Sequence, residues 1–155
     1  MSSDKRHAHS GSVLPVQCFQ RMPHERIDER RLGGPAERIA ALSNTLGLST
    51  RTLLGCLGIS RARMHRLAQA DQPLSPDESE RVLGVENLIC QVQAMVAGSA
   101  LDKADSFDAA RWVGRWMLTP MLALGGRLPA SYLHTIGGQK ILGRLLAMYA
   151  SGAYA

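Results

Sequence analysis

The sequence predicts an all-α fold, and both its composition and its periodicity lead to that prediction. The 155 residues are rich in Leu, Ala and Arg and contain no alternating β-branched runs of the kind that strands show. Apolar residues instead recur every three or four positions, between Gly, Pro and Ser residues that suit helix ends. Aromatic residues make up only 5% of the chain, so we expect a core of Leu, Val, Ile, Met and Ala.

Composition also divides the chain into three predicted parts. Residues 1–34 mix Ser, His, Gly, Pro and charged residues without a period, which predicts a disordered or loosely ordered arm. Residues 35–98 carry helical patterns throughout and are predicted to form one domain. A polar stretch at 98–106 predicts a linker, so residues 99–155 are expected to form a second, small helical domain.

The first predicted helix begins at Pro35, because proline suits the first turn of a helix, and it runs to Gly47. Ile39, Leu42 and Leu46 lie at helical spacing within it and are expected in the core.

Residues 49–70 (STRTLLGCLGISRARMHRLAQA) predict two short helices around a tight turn. Ser49 and Ser60 are the expected caps, because a serine hydroxyl can accept a hydrogen bond from an otherwise unpaired backbone N–H. Gly58, between the two helices, permits a left-handed turn. The residues expected to face inward are Leu53, Leu54, Leu57, Met64, Leu67 and Ala68.

The outward side of the second of these helices is basic. Residues 49–70 contain four arginines and no acidic residue. Arginine can bond guanine edges bidentately or hold phosphates, so this side suits the major groove of DNA. The predicted DNA-binding residues are Arg51, Ser60, Arg61, Arg63, His65 and Arg66. An ordinary αα-hairpin with a solvated basic face is the alternative.

The excess positive charge of the chain lies in the same half. Residues 1–75 hold 11 Lys and Arg against 6 Asp and Glu, whereas residues 76–155 hold 7 of each. A merely basic protein would explain the total of +5 but not this asymmetry, which favours a nucleic-acid-binding face.

This hairpin resembles a helix-turn-helix of the Xre type. The residues that carry the resemblance are Leu57, Gly58, Ile59, Ser60, Met64 and Leu67. The chain departs from the pattern at Leu54, four residues before the turn glycine, where a small residue is usual.

Ser75-Pro76-Asp77-Glu78 predicts the start of a long helix that runs to about Ala97, because it combines a serine cap, a proline and the glutamate of a capping box. Its apolar residues follow a 3-4-3-4 spacing: Val82, Val85, Ile89, Val92 and Val96. This stripe is explained either by packing within the chain or by the seam of a homodimer. Both can hold, because a helix-turn-helix dimer matches a two-fold operator.

Three further segments complete the predicted fold. Residues 107–117 predict a helix with Trp112 and Trp116 in the core, and residues 124–129 (LGGRLP) a tight turn that leads into a short helix from Ala130 to His134. Thr135 is the expected cap of the last helix, which Gly152 ends. The predicted buried stripe of that helix is Ile141, Leu142, Leu145, Leu146 and Tyr149.

The C-terminal third resembles the toxin-binding domain of the Xre/MbcA/ParS antitoxins. The residues at matching spacings are Trp116, Pro120, Leu124, Gly125, Gly126, Pro129, Leu133, Thr135, Gly138, Leu142, Leu145, Leu146, Gly152 and Tyr154. The helix opening at 74–83 (LSPDESERVL) also looks like that family, so the resemblance covers about residues 35–155.

The resemblance implies an antitoxin of a type II toxin–antitoxin system with two tasks. Its helix-turn-helix domain would dimerise and bind the promoter of its own operon. Its C-terminal domain would bind a RES-domain toxin that degrades NAD, and would cover or enter the active-site cleft of that toxin. Lys140 and Arg144 lie at i, i+4 away from the leucines of the last helix. The predicted toxin-binding residues are Lys140, Arg144, Ser151, Gly152, Ala153, Tyr154 and Ala155. Solvated charges on an ordinary helix are the alternative.

No residue grouping predicts catalysis, a metal site or a cofactor, so we expect a protein that is not an enzyme. Three widely spaced cysteines suggest reduced thiols and a cytoplasmic location, and no apolar run predicts contact with a membrane. Two other functions remain open at this point. One is a stand-alone transcriptional regulator whose C-terminal domain senses a ligand or a protein, and the other is an interaction protein whose helix-turn-helix no longer binds DNA.

Overall fold

The computed structural model describes residues 34–99 and 106–152. In these ranges the regular secondary structure is helical. The all-α prediction is therefore confirmed. An isolated antiparallel bridge joins Met121 and Arg127. The helices are α1 (Pro35–Leu46), α2 (Thr50–Leu57), α3 (Arg61–Gln69), α4 (Pro76–Ala97), α5 (Ala109–Met117) and α6 (Ile136–Ala150), with short 3₁₀ helices at Leu122–Leu124 and Pro129–Tyr132.

Side-chain caps begin the helices where the sequence predicts them. In α2, α3 and α6 a hydroxyl accepts from a backbone N–H that would otherwise have no partner inside the helix. These bonds are Thr52 N–H to Ser49 Oγ (3.1 Å), Arg63 N–H to Ser60 Oγ (3.0 Å) and Gly138 N–H to Thr135 Oγ1 (3.0 Å). At α4 the predicted capping box is complete, because Glu78 N–H donates to Ser75 Oγ (3.1 Å) and Ser75 N–H donates to Glu78 Oε2 (2.8 Å).

Helix α4 packs against elements from both the N-terminal and the C-terminal side of the described chain. It contacts α2 on the N-terminal side and both α5 and α6 on the C-terminal side. Four members of its predicted stripe are at most 3% exposed: Val82, Val85, Ile89 and Val92. The stripe is therefore explained by packing within the chain, and a homodimer would need a different surface.

Buried side chains pack across the predicted boundary near residue 98. Helix α1 packs against α5 across that boundary, and one cluster of buried residues includes side chains from both sides of it. The close approach of α1 and α5 depends on Gly114, where a Cβ would overlap the carbonyl oxygen of Leu46. The predicted N-terminal arm lies almost wholly outside the described residues.

Some local predictions are wrong, for physical reasons. Helix α5 begins at Ala109 instead of Phe107, because Asp108 caps it through Arg111 N–H (2.9 Å). The short helix expected from Ala130 is a 3₁₀ turn that begins at Pro129.

Two residues expected in the core lie in solvent, because the neighbouring elements cover a narrower arc than the apolar pattern suggests. Ala68 is exposed on α3, which buries only Met64 and Leu67. Ile141 is 45% exposed on α6, just outside the arc that α4 covers.

Both tryptophans of α5 lie against the core, as predicted. Their rings stack with centroids 5.8 Å apart and an interplanar angle of 13°. Trp116 is buried and Trp112 half-buried. Such offset stacking adds to the free energy gained from burying apolar area.

The cysteines depart from the prediction. Cys56 is a free, half-buried thiol, and burial raises its pKa. Cys90 is disulfide-bonded, so the expectation of three reduced thiols is wrong there, since spacing along the chain does not reveal which cysteines meet in space. Among the helices described, none is both long enough and apolar enough to cross a bilayer.

Candidate functional site

The turn between α2 and α3 is tight and well defined. Gly58 adopts the predicted left-handed conformation (φ +67°) and its N–H donates to Gly55 O (3.2 Å). The next N–H, of Ile59, donates to Leu54 O (3.0 Å), and the Ile59 side chain is only 4% exposed. These bonds satisfy carbonyls at the end of α2 and fix the angle at which α3 leaves the turn.

Five of the six predicted DNA-binding residues lie in solvent on this hairpin: Arg51, Ser60, Arg61, His65 and Arg66. Arg61 and His65 are four residues apart on α3, so they share its outward face with Arg66 beside them. Within the described ranges, none of Arg51, Arg61 and Arg66 forms an ion pair. Their charges are therefore available to an anionic ligand.

Arg63 behaves differently from its neighbours, because it faces α4. Its Nε donates to Glu78 Oε1 (2.8 Å) and its Nη2 to Glu78 Oε2 (3.2 Å), which is a bidentate pair. The Arg63 guanidinium holds the pKa of Glu78 below its usual range, and Glu78 raises the pKa of Arg63. The sequence analysis gave Glu78 only a capping role and did not predict this pair. The pair joins α3 to the start of α4.

A second positioning residue, Arg81 of α4, was also missed. Its Nη1 donates to Leu57 O (2.6 Å), one of the carbonyls that the end of α2 leaves without a helical partner. Its Nη2 pairs with Asp77 Oδ2 (3.0 Å). Together, Arg63 and Arg81 connect both helices of the hairpin to α4, which sets the orientation of the basic face.

On α6 the predicted toxin-binding residues that the structure describes are all exposed: Lys140, Arg144, Ser151 and Gly152. Neither Lys140 nor Arg144 forms an ion pair with another residue in the described part of the chain. Ser151 Oγ donates to Met148 O (2.9 Å), which leaves its lone pairs toward solvent. Ala153, Tyr154 and Ala155 lie outside the described residues.

Gln139 lies beside Lys140 in sequence but has a structural role. It is 8% exposed, and its Nε2 donates to Leu133 O (2.9 Å) and to Arg81 O (2.8 Å). It occupies the space left by Gly84, where any Cβ would overlap the Gln139 amide. Gln139 therefore connects α6 to the same residue of α4 that holds the end of α2.

An open cleft of about 600 Å³ lies between the turn at Gly126 and the start of α6. Its lining residues are Gly126, Arg127, Leu128, Ser131, Tyr132, His134 and Thr135. His134 also approaches the hairpin turn, since its Cβ is 3.2 Å from the position that a Cβ would take at Gly58. Among the described residues, no group of three or more His, Cys, Asp or Glu side chains is arranged to hold a metal ion.

Comparisons with known proteins agree with both predicted resemblances. Residues 25–86 match the antitoxin Xre-like helix-turn-helix domain, and residues 104–152 match the antitoxin Xre/MbcA/ParS C-terminal toxin-binding domain. The Prs ADP-ribosylating antitoxin of Sphingobium sp. (strain YBL2) is 34% identical over 137 residues, which cover 88% of this chain and 85% of that protein. No solved structure matches. The helical hairpin, the toxin-binding region and this relative together show that the chain belongs to the Xre/MbcA/ParS family of type II antitoxins.

Proposed function

We propose that this antitoxin neutralises a RES-domain toxin that consumes NAD, and that it represses its own operon through α2 and α3. The match of residues 104–152 to a toxin-binding domain is the observation that carries the proposal. Helix α6 is the last helix of that region and presents Lys140 and Arg144 to solvent without ion partners among the described residues. Two unpaired cations on one helix face are suited to an acidic partner surface.

In this proposal the C-terminal segment covers the active-site cleft of the toxin and excludes NAD. The contacting residues are Lys140, Arg144, Ser151, Gly152 and residues 153–155. The Thr135 cap fixes the start of α6, and Gln139 joins α6 to α4 through Arg81 O. A rigid element loses little conformational entropy on binding, which favours a tight complex.

Two reactions would consume NAD in the toxin, transfer of ADP-ribose to an acceptor and hydrolysis, and they share a first step. The name of the Sphingobium relative refers to ADP-ribosylation, which transfers ADP-ribose to an acceptor. Cleavage of the bond between nicotinamide and ribose begins both this transfer and the degradation of NAD by water. An antitoxin that excludes NAD therefore blocks either reaction at the same point.

For operator binding, we infer that α3 enters the major groove with Arg61, His65 and Arg66 toward the bases. Arg51 and Ser60, near the starts of α2 and α3, would contact phosphates in this arrangement. A homodimer would match a two-fold operator, but it would pair through a surface other than the buried stripe of α4. Because an operator is the proposed target, we assign the protein to the cytoplasm.

A charge reversal on α6 tests the toxin-binding proposal better than a truncation. Leu142, Leu145 and Leu146 are at most 3% exposed, so removing α6 would damage the core. The experiment co-expresses the chain with the protein of the neighbouring reading frame, which the proposal expects to be a RES-domain toxin, and measures growth and cellular NAD. We expect Lys140→Glu plus Arg144→Glu to lose protection, and Lys140→Arg plus Arg144→Lys to keep it.

The outcomes separate the parts of the proposal. Protection by the charge-reversed protein would remove Lys140 and Arg144 from the toxin interface. A wild-type chain that binds its promoter but does not protect against the neighbouring toxin would instead favour the stand-alone regulator.

A further inference from the structure

The solvent-facing side of α6 is partly apolar. Successive residues of an α-helix are turned by about 100°, so five exposed side chains fall within an arc of about 140°. They are Ile136, Lys140, Ile141, Arg144 and Met148, and we call them the outer face of α6. The three aliphatic members are 37% (Ile136), 45% (Ile141) and 37% (Met148) exposed.

The fold does not require these aliphatic side chains on the outer face. The opposite side of α6 already fills the core through Leu142, Leu145 and Leu146. Scattered exposed apolar residues are ordinary in proteins, but three on one arc form a surface that gains free energy when it is covered. The arrangement is typical of a helix that docks into a groove on a partner protein.

Charge indicates which partner covers this face. Helix α6 contains no Asp or Glu, and Lys140 and Arg144 lie between the aliphatic residues. A second copy of this chain would oppose the same two cations across a two-fold axis, and this like-charge contact is unfavourable. A partner with an apolar groove and acidic residues at its rim is complementary in both respects.

We propose that Ile136, Ile141 and Met148 anchor α6 in an apolar groove of the toxin, while Lys140 and Arg144 face acidic residues at the rim of that groove. The inference rests on the proposed function and adds the residues that supply most of the affinity. Desolvated apolar anchors at the centre of an interface determine how long a complex lasts, whereas charges at the rim mainly steer association.

The same surface defines how α6 inhibits. A site that binds the pyrophosphate of NAD is built from cations and N–H donors, so it repels a cationic helix. Helix α6 therefore does not imitate the phosphates of NAD. On this inference α6 excludes the dinucleotide sterically.

The test measures binding kinetics between the full-length chain and the toxin of the proposed function, which we expect the neighbouring reading frame to encode. We expect Ile141→Ala and Met148→Ala each to raise Kd about tenfold, mainly through faster dissociation, without changing the dependence on salt. Lys140→Ala plus Arg144→Ala should instead slow association and flatten the dependence on salt. Gln69→Ala is the control, because Gln69 is exposed on α3 and lies outside the region that matches a toxin-binding domain.

Each outcome decides a separate point. Failure of the wild-type chain to bind the toxin overturns the proposed function itself. Normal binding by the wild type with an unchanged Kd for the Ile141→Ala plus Met148→Ala protein overturns this inference alone. Sedimentation analysis identifies the other occupant: a loss of dimer in that double variant, with toxin affinity intact, would assign the face to a second copy. Thermal unfolding checks that the variants fold, and Ile141→Gln with Met148→Gln replaces any that does not.

Discussion

At the scale of single residues, four arginines that look equivalent in sequence divide into two groups. Arg61 and Arg66 project into solvent from α3, and Arg51 does so from α2. Arg63 forms a bidentate pair with Glu78. An alanine at Arg63 would thus confuse loss of a DNA contact with loosening of α3.

We therefore expect Arg61→Ala plus Arg66→Ala to weaken promoter binding without lowering stability. Each lost base contact should cost about 1–3 kcal/mol, and each lost phosphate contact should reduce the salt dependence by about one ion. Fluorescence anisotropy with promoter DNA at several salt concentrations measures both effects. Lys140→Ala plus Arg144→Ala removes the same charge from α6 and is the matched control. Equal losses in the two double variants would show that net charge alone explains binding.

The Arg63–Glu78 pair predicts a specific pH dependence of stability. Arg63 lowers the pKa of Glu78 more than burial raises it, so the folded protein holds the ionised carboxylate more strongly than the unfolded chain does. The stabilisation is complete above the unfolded pKa of about 4.3, and it is lost as pH falls through the lower, folded value.

Glu78→Gln removes that charge while keeping the shape of the side chain. We expect the wild type to be more stable than this variant at neutral pH, with the difference shrinking below pH of about 4. Urea unfolding followed by circular dichroism across this range measures it. A double-mutant cycle with Arg63→Gln isolates the pair. A difference that does not change with pH would mean that ionisation of Glu78 does not stabilise the fold.

At the scale of elements, α4 and α6 approach closely because Gly84 leaves room for Gln139. A Cβ at Gly84 would overlap the Gln139 amide, which two hydrogen bonds hold in place. We expect Gly84→Ala to destabilise the protein by about 1–3 kcal/mol, as overpacking of a core usually does. Chemical denaturation measures the loss.

Gly55→Ala is the control for this substitution. Gly55 is an exposed helical residue of α2 with no atom within 4 Å of the position that a Cβ would take. Alanine there should stabilise by about 0.5–1 kcal/mol, because it reduces the entropy of the unfolded chain. Adding Gln139→Ala to Gly84→Ala should restore part of the lost stability. No restoration would mean that the two residues do not compete for the same space.

Features that depend on neighbours in sequence were predictable. The caps at Ser49, Ser60, Ser75 and Thr135 and the turn at Gly58 follow from local hydrogen bonding and backbone sterics, and the structure confirms them. Lys140 and Arg144 were likewise correctly placed on the exposed side of α6.

Features that depend on tertiary contacts were not predictable. The partner of Arg63 is 15 residues away, and the partner of Gln139 is 58 residues away at Arg81. The exposure of Ile141 depends on how much of α6 the helix α4 covers. No periodicity in one segment contains that information, so the apolar outer face of α6 emerged only from the structure.

At the scale of the whole molecule, α4 packs against both the N-terminal and the C-terminal part of the described chain. The matched helix-turn-helix region ends at residue 86, in the middle of α4, while the rest of α4 packs against α5 and α6. Leu88, Ile89 and Val92 lie in this second half of α4 and are at most 3% exposed, so we expect removal of the C-terminal part to expose them.

A fragment of residues 1–98 should therefore not fold alone, although the sequence suggested a separate domain. We expect the full chain to unfold in one cooperative transition, and the fragment to aggregate or to lack a transition. Circular dichroism and sedimentation analysis measure these properties, with the full chain as the reference. A cooperative, monomeric fragment that binds the promoter would support the predicted division into two domains.

The arrangement at Arg81 has a thermodynamic consequence. Its guanidinium holds the end of α2 and its carbonyl oxygen is held by Gln139 of α6, so a single residue contacts the hairpin and the helix of the proposed toxin interface. If this contact couples toxin binding to promoter binding, the coupling free energy acts equally in both directions. The factor by which toxin alters the affinity for the promoter must equal the factor by which the promoter alters the affinity for toxin. The ratio of toxin to antitoxin in the cell and the occupancy of the operator would then be governed by the same coupled binding equilibrium.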